Sequence, residues 1–187
     1  RNRIMSQVSF ENRTVIVTGA GNGLGKAYAL DLGSRGAKVV VNDLGGAVDG
    51  SGSGSTPADE VVNEIIANGG EAVANYDSVA SKEGGESIVQ TAIDNFGTVD
   101  AVVNNAGILR DKSFANMSEE ELSLIIDVHL KGTFFVSQPA FKVMKENSYG
   151  RIVNVASPSG LFGNFGQSNY GAAKMGIVGL TNVLAIE

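Results

Sequence analysis

Short β-branched runs alternate with helix-patterned segments along almost the whole chain, and this alternation limits the fold more than any other feature. The runs are TVIVTG (Thr14–Gly19), AKVVVND (Ala37–Asp43), AVANY (Ala72–Tyr76), Val99–Asn104 and RIVNVAS (Arg151–Ser157). Helical patterns fill the intervals over Gly23–Arg35, Ala58–Asn68, Lys82–Phe96 and Ser118 to about Lys145, with a last one over Asn169–Ile186. Strands separated by helices imply βαβ units and a mainly parallel, doubly wound α/β sheet with helices on both faces. Such strands are buried on both sides and need near-continuous Val, Ile and Ala, which these runs supply. Residues 1–187 are therefore expected to form a single domain. The Gly/Ser stretch Gly45–Pro57 reads as a surface excursion after the second strand, because the 44 residues before it are too few to hold a core alone.

Glycine is abundant, at 25 of 187 residues, against an average near 7%. Four of them, Gly19, Gly21, Gly23 and Gly25, fall in GAGNGLG, between the first strand and the first helix. There the pattern has a mechanical meaning. Gly19 permits the tight turn, Gly21 and Gly23 let backbone N–H groups approach a pyrophosphate, and Gly25 lets the helix lie close on the strand. The helix N-terminus adds free donors and a positive dipole end. Asp43 closes the second strand, where a carboxylate accepts hydrogen bonds from the adenosine ribose and repels a 2′-phosphate. Asn22 stands where an arginine could grip that phosphate. Both residues favour NAD over NADP, in a Rossmann-like sheet.

Composition removes several other chemistries. Twenty acidic against fourteen basic residues give a net charge of -6, which disfavours nucleic acid as a partner. Absence of cysteine removes thiolate nucleophiles and disulfides, and a single histidine leaves little for a metal site. No metal is expected. No apolar run approaches the roughly 18–20 residues that span a bilayer, so no membrane partner is expected. The N-terminal RNRIMSQVSF lacks a hydrophobic signal core, and a cytoplasmic or post-translationally imported protein follows. Arg1–Ile4, ahead of Met5, read as an artificial addition or as residues before a later start.

The last segment carries the sharper signal. Tyr170 and Lys174 are spaced i, i+4 and share one helix face. An ammonium one turn away favours a phenolate, so this tyrosine can exchange a proton with an alcohol or a ketone. Ser157 ends the fifth strand, at the sheet edge where ligands bind, and its hydroxyl can hold the reacting oxygen.

TGAGNGLG, NNAG (Asn104–Gly107), a strand-closing serine and YGAAK (Tyr170–Lys174) together resemble the short-chain dehydrogenase/reductase family. VVVNDLGG, EAVANYDSV, NNAGILRDKSF, VHLKGTFF and GNFGQSNYGAAK are similar to its (3R)-hydroxyacyl-CoA dehydrogenase branch. The resemblance implies Tyr170 as general acid/base, Lys174 as the residue that holds the nicotinamide ribose and tunes Tyr170, and Ser157 as the substrate-orienting hydroxyl. It implies that Asn104, Ala106 and Gly107 line the middle of the cofactor and that Asp77 and Ser78 cap the adenine. Leu24 and Leu44, beside the glycine turn and Asp43, complete the cofactor set.

His129 stands where the family often has an asparagine whose backbone carbonyl relays protons through a water. Leu122, Ile125, Ile126 and His129 share one helical face, so a packed core histidine competes with that carbonyl role. The resemblance further implies the strand order 3-2-1-4-5, with the family's last strands and its substrate-covering loop lying beyond Glu187. It implies a homodimer or homotetramer through the helices opened by Ser118 and Asn169, where Gly176 and Gly179 permit close approach. The substrate expected is a small molecule, an acyl-CoA thioester, and the location is peroxisomal if the chain belongs to a larger eukaryotic enzyme. A steroid or other small hydrophobic alcohol is the alternative substrate, and an inactive dinucleotide-binding regulatory or structural module is the alternative class.

Overall fold

The computed structural model describes residues 8–46, 49–52, 54 and 56–187. The reading of Arg1–Ile4 and Met5 lies outside the described residues. Strands β1 (Thr14–Thr18), β2 (Lys38–Asn42), β3 (Glu71–Asn75), β4 (Ala101–Asn104) and β5 (Arg151–Asn154) form one parallel sheet in the order β3-β2-β1-β4-β5. That is the expected order, and β5 forms one edge with Val153 half exposed. The helices are α1 (Gly23–Ser34), α2 (Thr56–Ala67), α3 (Lys82–Phe96), α4 (Glu119–Ile125), α5 (Gly132–Glu146), α6 (Pro158–Phe162) and α7 (Ser168–Leu184).

Side-chain alternation along the central strands divides the core into two layers. Val15, Val17, Val39 and Val41 pack with Ala29, Ala58, Val61 and Ile65 of α1 and α2. On the other face, Ile16, Val40 and Val102 pack with Ile88, Val89 and Ala92 of α3 and with Val136, Ala140 and Met144 of α5. Helix ends follow local chemistry. Ser118 and Glu121 close a reciprocal capping box on α4, as their spacing predicts. Ser81 caps α3, which stops at Gly97 in the left-handed conformation.

The sequence pattern misses one break. The single helix expected from Ser118 to about Lys145 is α4 and α5 joined by a π-helical turn, Ile126–Lys131. This wider turn carries His129 into the interior, while Leu122, expected on the same apolar face, is half exposed. Thr133 compensates by donating its hydroxyl to the His129 carbonyl at 2.7 Å. Pro139 lies inside α5 and supplies no N–H to Phe135 four residues back. The Phe135 carbonyl instead faces Gly85 of α3, where an added Cβ would lie only 2.3 Å from its oxygen. Gly85→Ala is therefore expected to destabilise the fold by about 2–3 kcal/mol, read as a lower urea midpoint, and unchanged stability would show that α3 and α5 are not held this closely.

Candidate active site

The carboxyl ends of β1, β2, β3 and β4 open onto a cavity of about 460 Å³. Of the residues expected to hold a cofactor, Gly19, Asn22, Gly23, Leu24, Asp43, Leu44, Asp77, Ser78, Ala106 and Gly107 line it. Gly21 and Gly25 act from behind. The Gly21 N–H donates to Asp43 Oδ2 at 2.7 Å, and a Cβ on Gly25 would lie 2.0 Å from the Gly19 carbonyl oxygen. Asn104 departs from expectation. Its side chain is buried and donates to Ser137 Oγ and Asn154 Oδ1, both at 2.8 Å, so it ties β4 to α5 and β5 instead of lining the cavity.

Two carboxylates stand along the cavity in fixed positions. Asp43 also accepts from the Gly45 N–H at 2.7 Å, so each of its oxygens holds one backbone donor and keeps acceptor capacity for a hydroxyl. Asp77 accepts from Ser87 Oγ at 2.6 Å and from Asn75 Nδ2 at 3.0 Å. Asn42 reinforces this corner by donating to Asn75 Oδ1 and to the Asp77 carbonyl, both at 2.9 Å. Between the two carboxylates and the Ala106–Ile108 wall lies the N-terminus of α1, with no side-chain cap and no acidic residue in its first turn. Gly23, at φ +54°, has open space where a Cβ would sit. Unpaired donors, a positive dipole end and a bare backbone fit a pyrophosphate.

Part of the Gly/Ser stretch folds back on this cavity. The Gly54 N–H donates to the Leu44 carbonyl at 2.9 Å, and a Cβ on Gly50 would lie 2.9 Å from Ile108 Cδ1. Gly46 and Gly50 line the cavity. The surface excursion is thus also a wall, except for Ala47, Val48, Ser53 and Ser55, which lie outside the described residues.

Lys174 and Tyr170 of α7 meet His129 of the π turn and the Val155 carbonyl just beyond β5. Lys174 is 4% exposed and donates to the Val155 carbonyl at 2.6 Å. Its ammonium has no carboxylate partner among the described residues and lies 5.5 Å from the centre of the Tyr170 ring. Burial lowers its pKa to about 8. His129 is 3% exposed and meets the Tyr170 ring at 88°, with centroids 5.1 Å apart. Its Nε2 lies 2.8 Å from the Ile108 carbonyl oxygen and 3.1 Å from the Ile108 nitrogen. We assign the proton to Nε2, which donates along the shorter contact; Nδ1 is buried without a partner among the described residues. Burial, and then the Lys174 charge, lower the His129 pKa to about 4, against the Ile108 bond that raises it. The imidazole is neutral at physiological pH, as a packed core histidine should be.

Ser157 caps α6. Its Oγ accepts from the Ser159 N–H at 3.2 Å, which leaves the hydroxyl hydrogen free to donate. Three features of this site escaped the sequence pattern. They are the π turn, the bond from His129 to Ile108, and α6 with its glutamine-centred junction to α7. In each, the pairing joins residues at least eight positions apart or breaks the 3.6-residue period, so local pattern carries no signal of it.

A model of the short chain dehydrogenase family matches residues 13–187. The chain belongs to the short chain dehydrogenase family. It is 61% identical over 180 residues to the peroxisomal hydratase-dehydrogenase-epimerase of Saccharomyces cerevisiae, covering 96% of this chain and 20% of the relative. It is 58% identical over 182 residues to the peroxisomal multifunctional enzyme type 2 of Mus musculus, covering 97% of this chain and 24% of the relative. The crystal structure of a short chain dehydrogenase from Mycobacterium avium superposes with a TM-score of 0.87 at 49% identity, over 95% of this chain and 63% of that one. The chain thus spans about a fifth to a quarter of the two peroxisomal relatives. The family is one of dehydrogenases and reductases that generally use NAD or NADP.

The two depressed pKa values carry signs that can be measured. Between pH 6.5 and about 4, the unfolded chain binds a proton on His129 that the folded chain refuses, so stability falls as pH drops through this window. The loss reaches up to about 3 kcal/mol. Between about pH 8 and 10.5, the unfolded chain likewise holds a proton on Lys174 that the folded chain has released, so stability from this group rises with pH. Chemical denaturation across both windows should show these slopes, the first flattened in His129→Leu and the second in Lys174→Met. Slopes identical to the parent's in those variants would remove the assignments.

Proposed function

We propose that this chain is an NAD-dependent dehydrogenase that interconverts a secondary alcohol and a ketone, with (3R)-hydroxyacyl-CoA and 3-ketoacyl-CoA as its substrate pair. The observation that carries this reading is the buried ammonium of Lys174, without a carboxylate partner among the described residues, beside the Tyr170 ring. A protein stabilises such a charge poorly, and a cation held there at a cost marks a site that uses it. In the oxidation direction, Tyr170 takes the hydroxyl proton of the alcohol and Ser157 donates a hydrogen bond to the same oxygen. Lys174 places its charge beside the phenol and offers its remaining donors to a ribose. The bound cofactor supplies the hydride acceptor or donor. In reduction, Tyr170 returns the proton to the developing alkoxide.

Asp43 supports NAD, because its carboxylate is fixed by two backbone donors and cannot swing away from a 2′-phosphate. The acyl-CoA assignment rests on the sequence motifs that resemble the (3R)-hydroxyacyl-CoA dehydrogenase branch. The two relatives named as peroxisomal favour a peroxisomal over a cytoplasmic location. No helix among the described residues is long and apolar enough to cross a membrane. The same proposal includes a homodimer or homotetramer through α5 and α7, where Phe134 and Val183 are half exposed and Gly176 and Gly179 open a groove.

Loss of NADH absorbance with acetoacetyl-CoA, and none with a ketosteroid, is the expected result. Turnover of the steroid alone would reassign the substrate, and NADH binding without turnover of either would reassign the chain as a binding module. Tyr170→Phe should lower kcat by about 10²–10⁴-fold with NADH affinity retained; equal activity would refute the proton-transfer role. Asp43→Ala should lower the NAD over NADP preference by about tenfold in kcat/KM, and an unchanged ratio would remove its assigned role.

A further inference from the structure

One side chain fastens the loop between α6 and α7 to the loop that follows β4. Gln167 Oε1 accepts from Ser159 Oγ at 2.7 Å and from Asn164 Nδ2 at 3.0 Å, while its Nε2 donates to Asp111 Oδ2 at 2.9 Å. The backbone repeats the tie, with the Lys112 N–H donating to the Gly166 carbonyl at 2.8 Å. A carboxamide of this length accepts at one end and donates to a carboxylate at the other without any change of charge.

Ser157 and Tyr170 are both linked to this junction. Ser159 bonds Gln167 through its hydroxyl and holds Ser157 Oγ through its N–H. Tyr170 lies three residues beyond Gln167, in the first turn of α7, whose N-terminus has no side-chain cap. The next residue but one strengthens the same attachment. Asn169 is buried, donates to the Arg110 carbonyl at 3.0 Å and to the Glu121 carbonyl at 3.1 Å, and accepts from the Tyr170 N–H at 2.7 Å.

We infer that Gln167 is a positioning residue, setting the separation of the Ser157 hydroxyl and the Tyr170 phenol by locking α6, the start of α7 and Asp111 together. The inference rests on the reading of Ser157 and Tyr170 as the catalytic pair. Gln167 itself touches neither substrate nor cofactor in this role; it fixes the frame in which two weakly constrained oxygens meet one substrate atom. Misplacement of reacting groups by about 1 Å can cost about 10²-fold in rate.

Gln167→Glu preserves size but sets a second acceptor against the Asp111 carboxylate. The expected result is a kcat with acetoacetyl-CoA about 10–100-fold below the parent, with the Kd for NADH changed by less than about twofold. Adding Asp111→Asn places a donor opposite the new carboxylate and should bring kcat back to within about threefold of the parent. A single variant with unchanged kcat, or a double variant that recovers nothing, overturns the inference. Gln167→Met, of similar length but without hydrogen bonds, serves if the charged variant fails to fold and should show the same split between kcat and Kd. If the parent itself does not turn over acetoacetyl-CoA, the reading of the pair fails separately. Amide hydrogen exchange at Lys112 and Ser159 then tests the frame: faster exchange in Gln167→Glu, reversed by Asp111→Asn, upholds it, and unchanged exchange overturns it.

Discussion

Parallel strands deliver every carboxyl end to the same edge of the sheet, and the site is built from what this chain places there. The last residues of the strands, or those paired with them, are Asn75, Asn42, Thr18, Asn104 and Asn154. They are polar groups at the rim of an otherwise Val- and Ile-rich core, and four of them are buried. An unpaired buried amide costs about 1–3 kcal/mol, so the row is stable only because its members satisfy one another. Asn42 donates to Asn75, Asn104 donates to Asn154, and Thr18 Oγ1 accepts from the Asn105 and Ala106 N–H groups. The strands therefore stop in register, and the loops that leave them start from fixed points. Asp43, Asp77 and the Ala106–Ile108 wall inherit their positions from this row.

A second constraint acts from the helix side. Lys174 is carried into the interior by α7, and its charge is met by the Val155 carbonyl instead of a carboxylate. A carboxylate would stabilise the ammonium better but would also hold the positive charge away from the phenol above it. His129 next to it remains neutral because burial disfavours the imidazolium, and the Lys174 charge acts in the same direction. Gly107 is required by the same packing, since a Cβ there would lie 2.4 Å from His129 Cε1. The glycine that shapes the cavity wall and the histidine that abuts Tyr170 are thus one packing unit, which joins the cavity at the strand ends to Tyr170 and Lys174.

The fold was legible because it is written in short-range periodicity. Val and Ile runs marked the five strands, the capping box at Ser118 and Glu121 marked a helix start, and alternation gave the layers. The glycine turn and Asp43 stand out in the sequence because a dinucleotide would demand backbone approach at one fixed place in such a sheet. Asn104 is ambiguous in the sequence, since the same side chain can reach outward to a ligand or inward to Ser137, and only packing decides between them. The long helix reads as continuous because His129 and Thr133 keep an apolar or neutral pattern while adding a residue to the turn. Nothing in VHLKGTFF marks that addition.

The contrast between Gln167 and Tyr170 shows where local reading ends. Tyr170 and Lys174 meet because helix geometry alone brings i and i+4 together. Gln167 meets Asp111 across 56 positions, through a pairing of Lys112 with Gly166 that no periodicity announces. The contact of Tyr170 with Lys174 is therefore encoded in one helical turn, whereas the position of that turn relative to α6 and Ser157 is encoded in the meeting of two loops. A substitution in the first acts on the contact itself, and a substitution in the second acts on the frame that carries it.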